Sequence, residues 1–302
     1  MYLHKNTKTF ENTIKNISTK INIDPSFIEK DYYITIILKT LKDKCPNIIF
    51  KGGTSLSKCF NAINRFSEDI DISFEEHLGE SKRSNLKNNI IKSISEELDL
   101  PIVNWNILHS NNNVNKYIFS YKSVIETIND QNNYISLEVS LVVPSFPSQN
   151  SELGNYIYKY KNYLSNIDIS EYELAPFTIN WQTLERTFID KVFAICDYYL
   201  LGKSARLSRH LYDLHKLFSI INKDNILNLI KEVQVLRSKI DLCPSAKPTI
   251  SINELLNNII DSNYYKKDYK NVTMNLIYDN TSYNECIETI KTISSTIPFP
   301  IL

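Results

Sequence analysis

The stretch FKGGTSLSKCFNAINRFSEDIDISF, Phe50 to Phe74, decides how this chain is read. The whole chain has five glycines, and two of them, Gly52 and Gly53, stand side by side here. The preceding NIIFK is short and apolar enough for a strand, and a short helix with Leu56 and Phe60 on one face is expected from Thr54. DIDISF alternates strictly and reads as a second strand. Successive side chains of a strand point to opposite faces, so Asp69 and Asp71 share one face while Ile70 and Ile72 take the other. Two carboxylates this close repel unless a cation sits between them. A hard divalent ion, magnesium or manganese, is the usual solution. The glycine pair supplies the other half of the chemistry. It lets the backbone bend sharply and a ligand approach closely, and N–H groups at a helix start attract phosphate. Thr54 and Ser55 add hydroxyls, with Lys58 a turn further on. One loop for phosphates and two carboxylates for a metal make a nucleoside-triphosphate site. It is not a P-loop, because GxxxxGK[ST] is absent and Lys58 lies on the far side of the helix start.

The rest of the chain sets bounds. With 302 residues, 42% hydrophobic and 23% charged, it is an ordinary globular chain with room for a sizeable core. Its formal net charge is zero, so any nucleic-acid surface has to be local. The five cysteines are scattered without a CxxC pair, as in a reduced, cytoplasmic protein. The N-terminal MYLHKNTKTF has no apolar core of the kind expected of a signal peptide, and no apolar run approaches the length of a membrane span.

Asp24, an N-cap followed by Pro25, opens a helix expected to run to Asp43, with Ile28, Ile34, Ile37, Leu38 and Leu41 buried. A further helix is expected over Ser81–Leu98. IVNWNIL, KYIFSYK and YISLEVSLVV read as strands separated by Asn-rich turns, SNNNVN and NDQNN. A helix near Tyr156–Leu164 and a strand near Phe177–Trp181 follow. From Gln182 the pattern is helical, clearest in TLERTFIDKVFAICDYYLL and ARLSRHLYDLHKLFSII. The expected division is an αβ domain over residues 1–180 and a helical domain over 181–302 that contributes to the active-site cleft.

GGTSLSK followed by RFSEDIDI resembles the AbiEii/AbiGii-type nucleotidyltransferase toxins, which include the MenT toxins and belong to the DNA polymerase β-like superfamily. EKDYY at Glu29–Tyr33 is similar to that family's EKDYW segment, with Tyr33 where tryptophan is common. ERTFIDK, ending at Lys191, and RHLYDLHKL, containing Asp213, are similar to two later blocks. The resemblance spans about residues 29 to 220. It implies an α+β fold: a polymerase β-like nucleotidyltransferase core with a mixed sheet, followed by a helical C-terminal half. It implies that Asp69 and Asp71 hold metal, that a third carboxylate stands on a neighbouring strand, and that Lys191 and Asp213 are needed for activity. It further implies an NTP substrate, a cognate antitoxin, a link to phage defence, and nucleotide transfer onto RNA such as a tRNA 3′ end. A protein hydroxyl and a small molecule are the alternative acceptors. A nucleotide-binding protein that acts by assembly is the alternative class.

Geometry adds to the resemblance. At 100° per residue Lys191 falls beside the apolar stripe Leu184, Phe188, Ile195 and Tyr199, with Arg186, Asp190 and Asp197 on the opposite, polar face. Such a lysine either meets an anion, which a triphosphate would supply, or snorkels outward. On the next helix Leu207, Leu211, Leu214 and Phe218 form the stripe, flanked by Arg206, Arg209, His210 and Asp213. That basic flank suits phosphate, and Arg209–Asp213 is also spaced for an i, i+4 salt bridge. Glu138 in ISLEVSL is the candidate third carboxylate, on the face of Ser136 and Ser140; an exposed strand glutamate is the alternative. Ser67 is expected on the face of Asp69, within reach of metal or phosphate, and Arg65 and Glu68 to pair with each other.

Overall fold

The computed structural model describes residues 1–60, 62–65, 67, 69–125, 133–164, 167–224 and 226–302. Glu68 and most of the Asn-rich turn NDQNN lie outside the described residues. The chain divides into two compact units. The first is Met1–Cys59, Glu68–Pro144 and Ser148–Trp181; the second is Phe60–Ser67, Ser145–Pro147 and Gln182–Leu302.

The first unit carries α1 (Thr7–Ile21), α2 (Pro25–Lys44), β1 (Ile49–Lys51), α3 (Gly52–Lys58), β2 (Asp69–Ser73), α4 (Glu80–Asn85) and α5 (Lys92–Leu98). It continues with β3 (Val114–Ser120), β4 (Tyr134–Ser140), β5 (Ser148–Leu153), α6 (Tyr156–Lys159) and β6 (Phe177–Gln182). The strands form one mixed sheet of six in the order β3-β4-β2-β1-β6-β5. β1 runs antiparallel to β2 and parallel to β6; β2 runs parallel to β4, and β4 antiparallel to β3. The mixed sheet accompanied by many helices is the α+β architecture expected.

Alternation sorts the sheet. Ile70, Ile72, Ile135, Leu137, Val139, Tyr117 and Phe119 are buried on one face, where α2 packs on β4. The other face carries Asp69, Asp71, Ser136 and Glu138, half-buried, and Lys116, exposed. α2 caps as expected, with Asp24 accepting from the Ser26 amide at 2.8 Å. It is buried nearly all round, Tyr32, Tyr33 and Ile36 joining the foreseen stripe. Helix 80–98 forms with a π-helical stretch, Leu86–Ile91, between α4 and α5.

The strand expected at IVNWNIL is corrected. Only Ile102 bridges to β3, at Phe119, and the chain then enters a 3-10 turn over Trp105–Ile107. The Asn104 side chain takes the place of a strand backbone there. It accepts from the Ile118 amide at 3.0 Å and donates to the Lys116 carbonyl at 2.7 Å, freeing the main chain to turn. β5 was not foreseen, because SQNSEL lies at the sheet edge, where one buried residue, Leu153, gives no apolar alternation.

The second unit is helical: α7 (Leu184–Leu200), α8 (Arg209–Phe218), α9 (Ile226–Ser238), α10 (Ile252–Asp261), α11 (Lys266–Asn271) and α12 (Tyr283–Thr296). α8 packs on α7 and α12, and α10 on α7 and α12. The segment between α3 and β2 belongs to this unit. The Asn64 amide donates to the Tyr212 hydroxyl at 3.1 Å, and its carbonyl accepts from the Tyr278 amide at 2.9 Å. Among the described residues no helix is long and apolar enough to cross a membrane.

Candidate functional site

The register of the sheet assembles one candidate cluster within the first unit. β1 pairs Lys51 with Asp71; β2 pairs Asp69 with Ser136 and Asp71 with Glu138; β3 pairs Lys116 with Glu138. Paired residues share a face, so Asp69, Asp71, Ser136, Glu138 and Lys116 all stand on the polar side of the sheet. The Lys116 ammonium reaches across β4 to within 3.8 Å of Asp69. The pair is half in solvent, where such contacts contribute little and yield readily to another ion. The Ser136 hydroxyl oxygen is buried and has no hydrogen-bond partner among the described residues.

α3 begins at Gly52, two residues before the expected start. Gly52 has φ +77°, in the left-handed region, and a Cβ placed there would lie 1.9 Å from Asp71 Oδ2. The glycine therefore serves the carboxylate as much as the turn: its bare Cα is the surface against which Asp71 rests. Gly53, Thr54 and Ser55 are buried behind it, and the Ser55 hydroxyl donates to the Gly52 carbonyl at 2.9 Å, holding the loop closed. Lys58, the last residue of α3, is ion-paired with Asp31 of α2. The second Asp31 oxygen accepts from the Tyr156 amide at 2.8 Å. In the same EKDYY segment Glu29 accepts from the Ser123 hydroxyl at 2.5 Å and the Val124 amide at 2.8 Å; burial nevertheless raises its pKa.

A Gly52→Ala chain should lose nucleotidyl transfer at least about a hundredfold, because the methyl displaces the Asp71 carboxylate. The strained left-handed alanine should lower stability by only about 1–2 kcal/mol. Initial rates and thermal unfolding of the two proteins separate the effects; wild-type turnover would contradict the role given to the bare Cα.

The helical unit holds a charged cluster of its own. Asp213 of α8 is 0% exposed and is gripped by two cations. Arg65 donates Nε–H to Oδ1 at 2.6 Å and Nη2–H to Oδ2 at 2.8 Å, and Lys191 of α7 donates to Oδ2 at 2.6 Å. Burial alone would raise the Asp213 pKa, but Arg65 and Lys191 outweigh it and hold the group well below the usual carboxylate range. Burial lowers the Lys191 ammonium below the ordinary lysine range. Asp213 opposes that shift, while Arg65 and Arg209 add to it. His210, depressed by burial and then by Lys191, is held neutral; its Nδ1 has no hydrogen-bond partner among the described residues.

Lys191 and Asp213 decide two readings that the sequence left open. Lys191 does not snorkel: it is 6% exposed and its anion is Asp213. Asp213 pairs with Arg65 and Lys191 rather than with Arg209, which opens α8 half-exposed. Arg65 reaches Asp213, far along the chain, and its expected partner Glu68 lies outside the described residues. The polar face of α7 is not solvated either. Arg186 is 1% exposed, and Arg237 of α9 pairs with Asp197 at 2.6 Å and with Asp190 at 3.4 Å. Ser67 precedes β2, and Glu68 between it and Asp69 lies outside the described residues. Sequence reading missed Arg65 as the partner of Asp213, and Lys116 altogether, and gave no role to Ser136 or Asp31. Lys116 was accessible through the hairpin register of KYIFSYK against YISLEVS; Arg65 had no local signal.

Metal binding can be judged on donors. Asp69, Asp71 and Glu138 present hard oxygen ligands on one face, beside the unpartnered Ser136 hydroxyl and a glycine Cα that leaves room. Among the described residues no group of three or more His, Cys, Asp or Glu is gathered tightly enough to hold an ion by itself. Magnesium is usually bound by one or two carboxylates and completed by substrate phosphates and water, so it does not require a full protein cage. The donor set fits the ion.

A mixed sheet bearing a glycine loop and paired strand aspartates defines the nucleotidyltransferase class. The family model for the nucleotidyl transferase AbiEii toxins of type IV toxin–antitoxin systems matches residues 36–291, and the chain belongs to that family. It is thus a toxin-type nucleotidyltransferase, and the family implies an NTP substrate and an antitoxin partner. Among solved structures it is similar to MenT4, a nucleotidyltransferase toxin from Mycobacterium tuberculosis H37Rv. The identity is 13% and the TM-score 0.44, over 89% of this chain and 85% of that one. No curated protein sequence matches the chain.

Proposed function

We propose that the enzyme transfers a nucleoside monophosphate from an NTP to RNA, at a tRNA 3′ end, releasing pyrophosphate. The observation that carries this reading is the register that sets Asp71 against Glu138 and Asp69 against Ser136, with Asp71 seated on Gly52. Asp69, Asp71 and Glu138 would hold magnesium or manganese. A divalent ion bound there would neutralise charge on the α-phosphate and acidify the attacking hydroxyl. The chain's own groups do the positioning. The backbone N–H groups of Gly53 and Thr54 would receive the terminal phosphates, the loop being fixed by the Ser55–Gly52 hydrogen bond. Lys58, held by Asp31, fixes α3 and so the loop. The resemblance implies that Lys191 and Asp213 are needed for activity, and within the helical unit the two are ion-paired. Asp213 acts on position, keeping Lys191 and Arg65 aligned.

The acceptor is tested by incubating the protein with magnesium, total tRNA and each α-labelled NTP, then splitting the product between nuclease and protease. Label released by nuclease alone is the expected result. Label released by protease alone would replace RNA with a protein hydroxyl as acceptor.

A further inference from the structure

The segment Tyr156–Tyr163, YIYKYKNY, packs four tyrosines and two lysines into eight residues. It folds as α6 followed by a 3-10 turn over Lys161–Tyr163. The rings of Tyr156 and Tyr160 lie parallel, 5.9 Å apart and inclined by 5°. Tyr160 and Tyr163 continue the stack at 6.2 Å and 22°. Lys159 sits over both Tyr156 and Tyr160, at 5.9 and 5.4 Å, and Lys161 lies 3.8 Å from the Tyr158 centroid. Among the described residues neither lysine is paired with a carboxylate. Tyr163, at the end of the stack, is 54% exposed, and Lys159 and Asn162 are exposed beside it.

We propose that this tyrosine–lysine ladder is the platform on which the single-stranded end of the RNA acceptor lies. The inference rests on the RNA reading above and adds the surface. Aromatic faces stack bases without regard to sequence, and interleaved cations follow the phosphates; a single strand is the polymer that needs both at this spacing. Lysine at the centre of the patch argues against a protein partner, since protein interfaces are depleted in it.

The ladder is also built to hold its place. Ile157 is buried beneath it, and Asn155 caps it by accepting from the Tyr158 amide at 2.8 Å. The Tyr156 amide donates to Asp31, whose other oxygen takes the Lys58 ammonium at the end of α3. A single carboxylate of α2 thus ties the ladder to the helix that starts at Gly52. A strand stacked on the tyrosines is thereby kept at a fixed distance from the phosphate loop, which is the positioning a transfer reaction needs.

Fluorescence anisotropy with a labelled short oligoadenylate, alongside label transfer to total tRNA, tests this. Tyr163→Ala should weaken oligoadenylate binding about tenfold, within the range for losing one stacked base. Tyr163→Phe should restore it. Lys159→Gln/Lys161→Gln should flatten the plot of log affinity against log salt by about 1.4, two phosphate contacts' worth. In each deficient variant KM for tRNA rises while KM for the NTP stays put. Wild-type binding and labelling by Tyr163→Ala and by the lysine pair, with the unsubstituted protein labelling tRNA, would overturn the ladder alone. An unsubstituted protein that labels no RNA would overturn the acceptor reading and the ladder with it. Normal RNA labelling with lost binding of co-expressed antitoxin would assign the patch to a protein partner and also overturn the proposal.

Discussion

An Asp71→Asn protein should unfold like the wild type and transfer nucleotide at least about a thousandfold more slowly. Asparagine keeps the shape that rests on Gly52 and removes only the charge. The change relieves repulsion from Asp69 and Glu138 on the same face, so stability should stay within about 0.5 kcal/mol. On the proposed mechanism activity would depend on that charge twice, in holding a divalent ion and in placing it against the nucleotide. Initial rates of label transfer, measured beside circular dichroism and thermal unfolding, decide the matter. Near wild-type turnover would remove Asp71 from the metal site and the mechanism with it.

Asp213→Asn should show the opposite balance, a large loss of stability as well as of activity. The substitution leaves the buried Arg65 and Lys191 without the carboxylate they share. Breaking a buried pair of this kind destabilises by roughly 3–5 kcal/mol, which lowers the unfolding midpoint on the order of 10 °C in a domain of this size. The pH dependence carries the sign. Asp213 ionises in the folded chain well below the usual range. Its contribution is therefore complete above the ordinary aspartate value, about pH 4, and lost as pH falls below it. Unfolding midpoints of wild type and variant should differ most above about pH 5 and converge toward about pH 2. A gap that is small at neutral pH, or that widens in acid, would show that Asp213 is not the counter-charge of that cluster.

The sheet cluster was legible because strand alternation and a glycine pair are local signals. Asp69, Asp71 and Glu138 could be placed on one face by counting from DIDIS and ISLEVSL. What counting could not supply was the strand order. The contact of Asp71 with Gly52 depends on β1 lying beside β2, and the reach of Lys116 to Asp69 depends on β3 lying one strand beyond β4. The helical unit was less legible. A helical wheel places Arg186 and Asp197 on a polar face but cannot know that α9 brings Arg237 to cover it. The pairing of Arg65 with Asp213 joins residues far apart in the chain, through a segment, Phe60–Ser67, that belongs with the helical unit. IVNWNIL had strand-like composition, but Asn104 satisfied the edge of β3 with its side chain and let the backbone turn.

The measurement that bears most directly on the central claim follows the two ends of the triphosphate. The protein is incubated with magnesium, total tRNA and NTP labelled at either the α- or the γ-phosphate, with Asp69→Ala as control. Nucleotidyl transfer onto RNA predicts that α-label enters the tRNA, that γ-label appears only in pyrophosphate, and that both signals vanish in Asp69→Ala. Label entering tRNA from the γ position, or α-label that persists in Asp69→Ala, would contradict it.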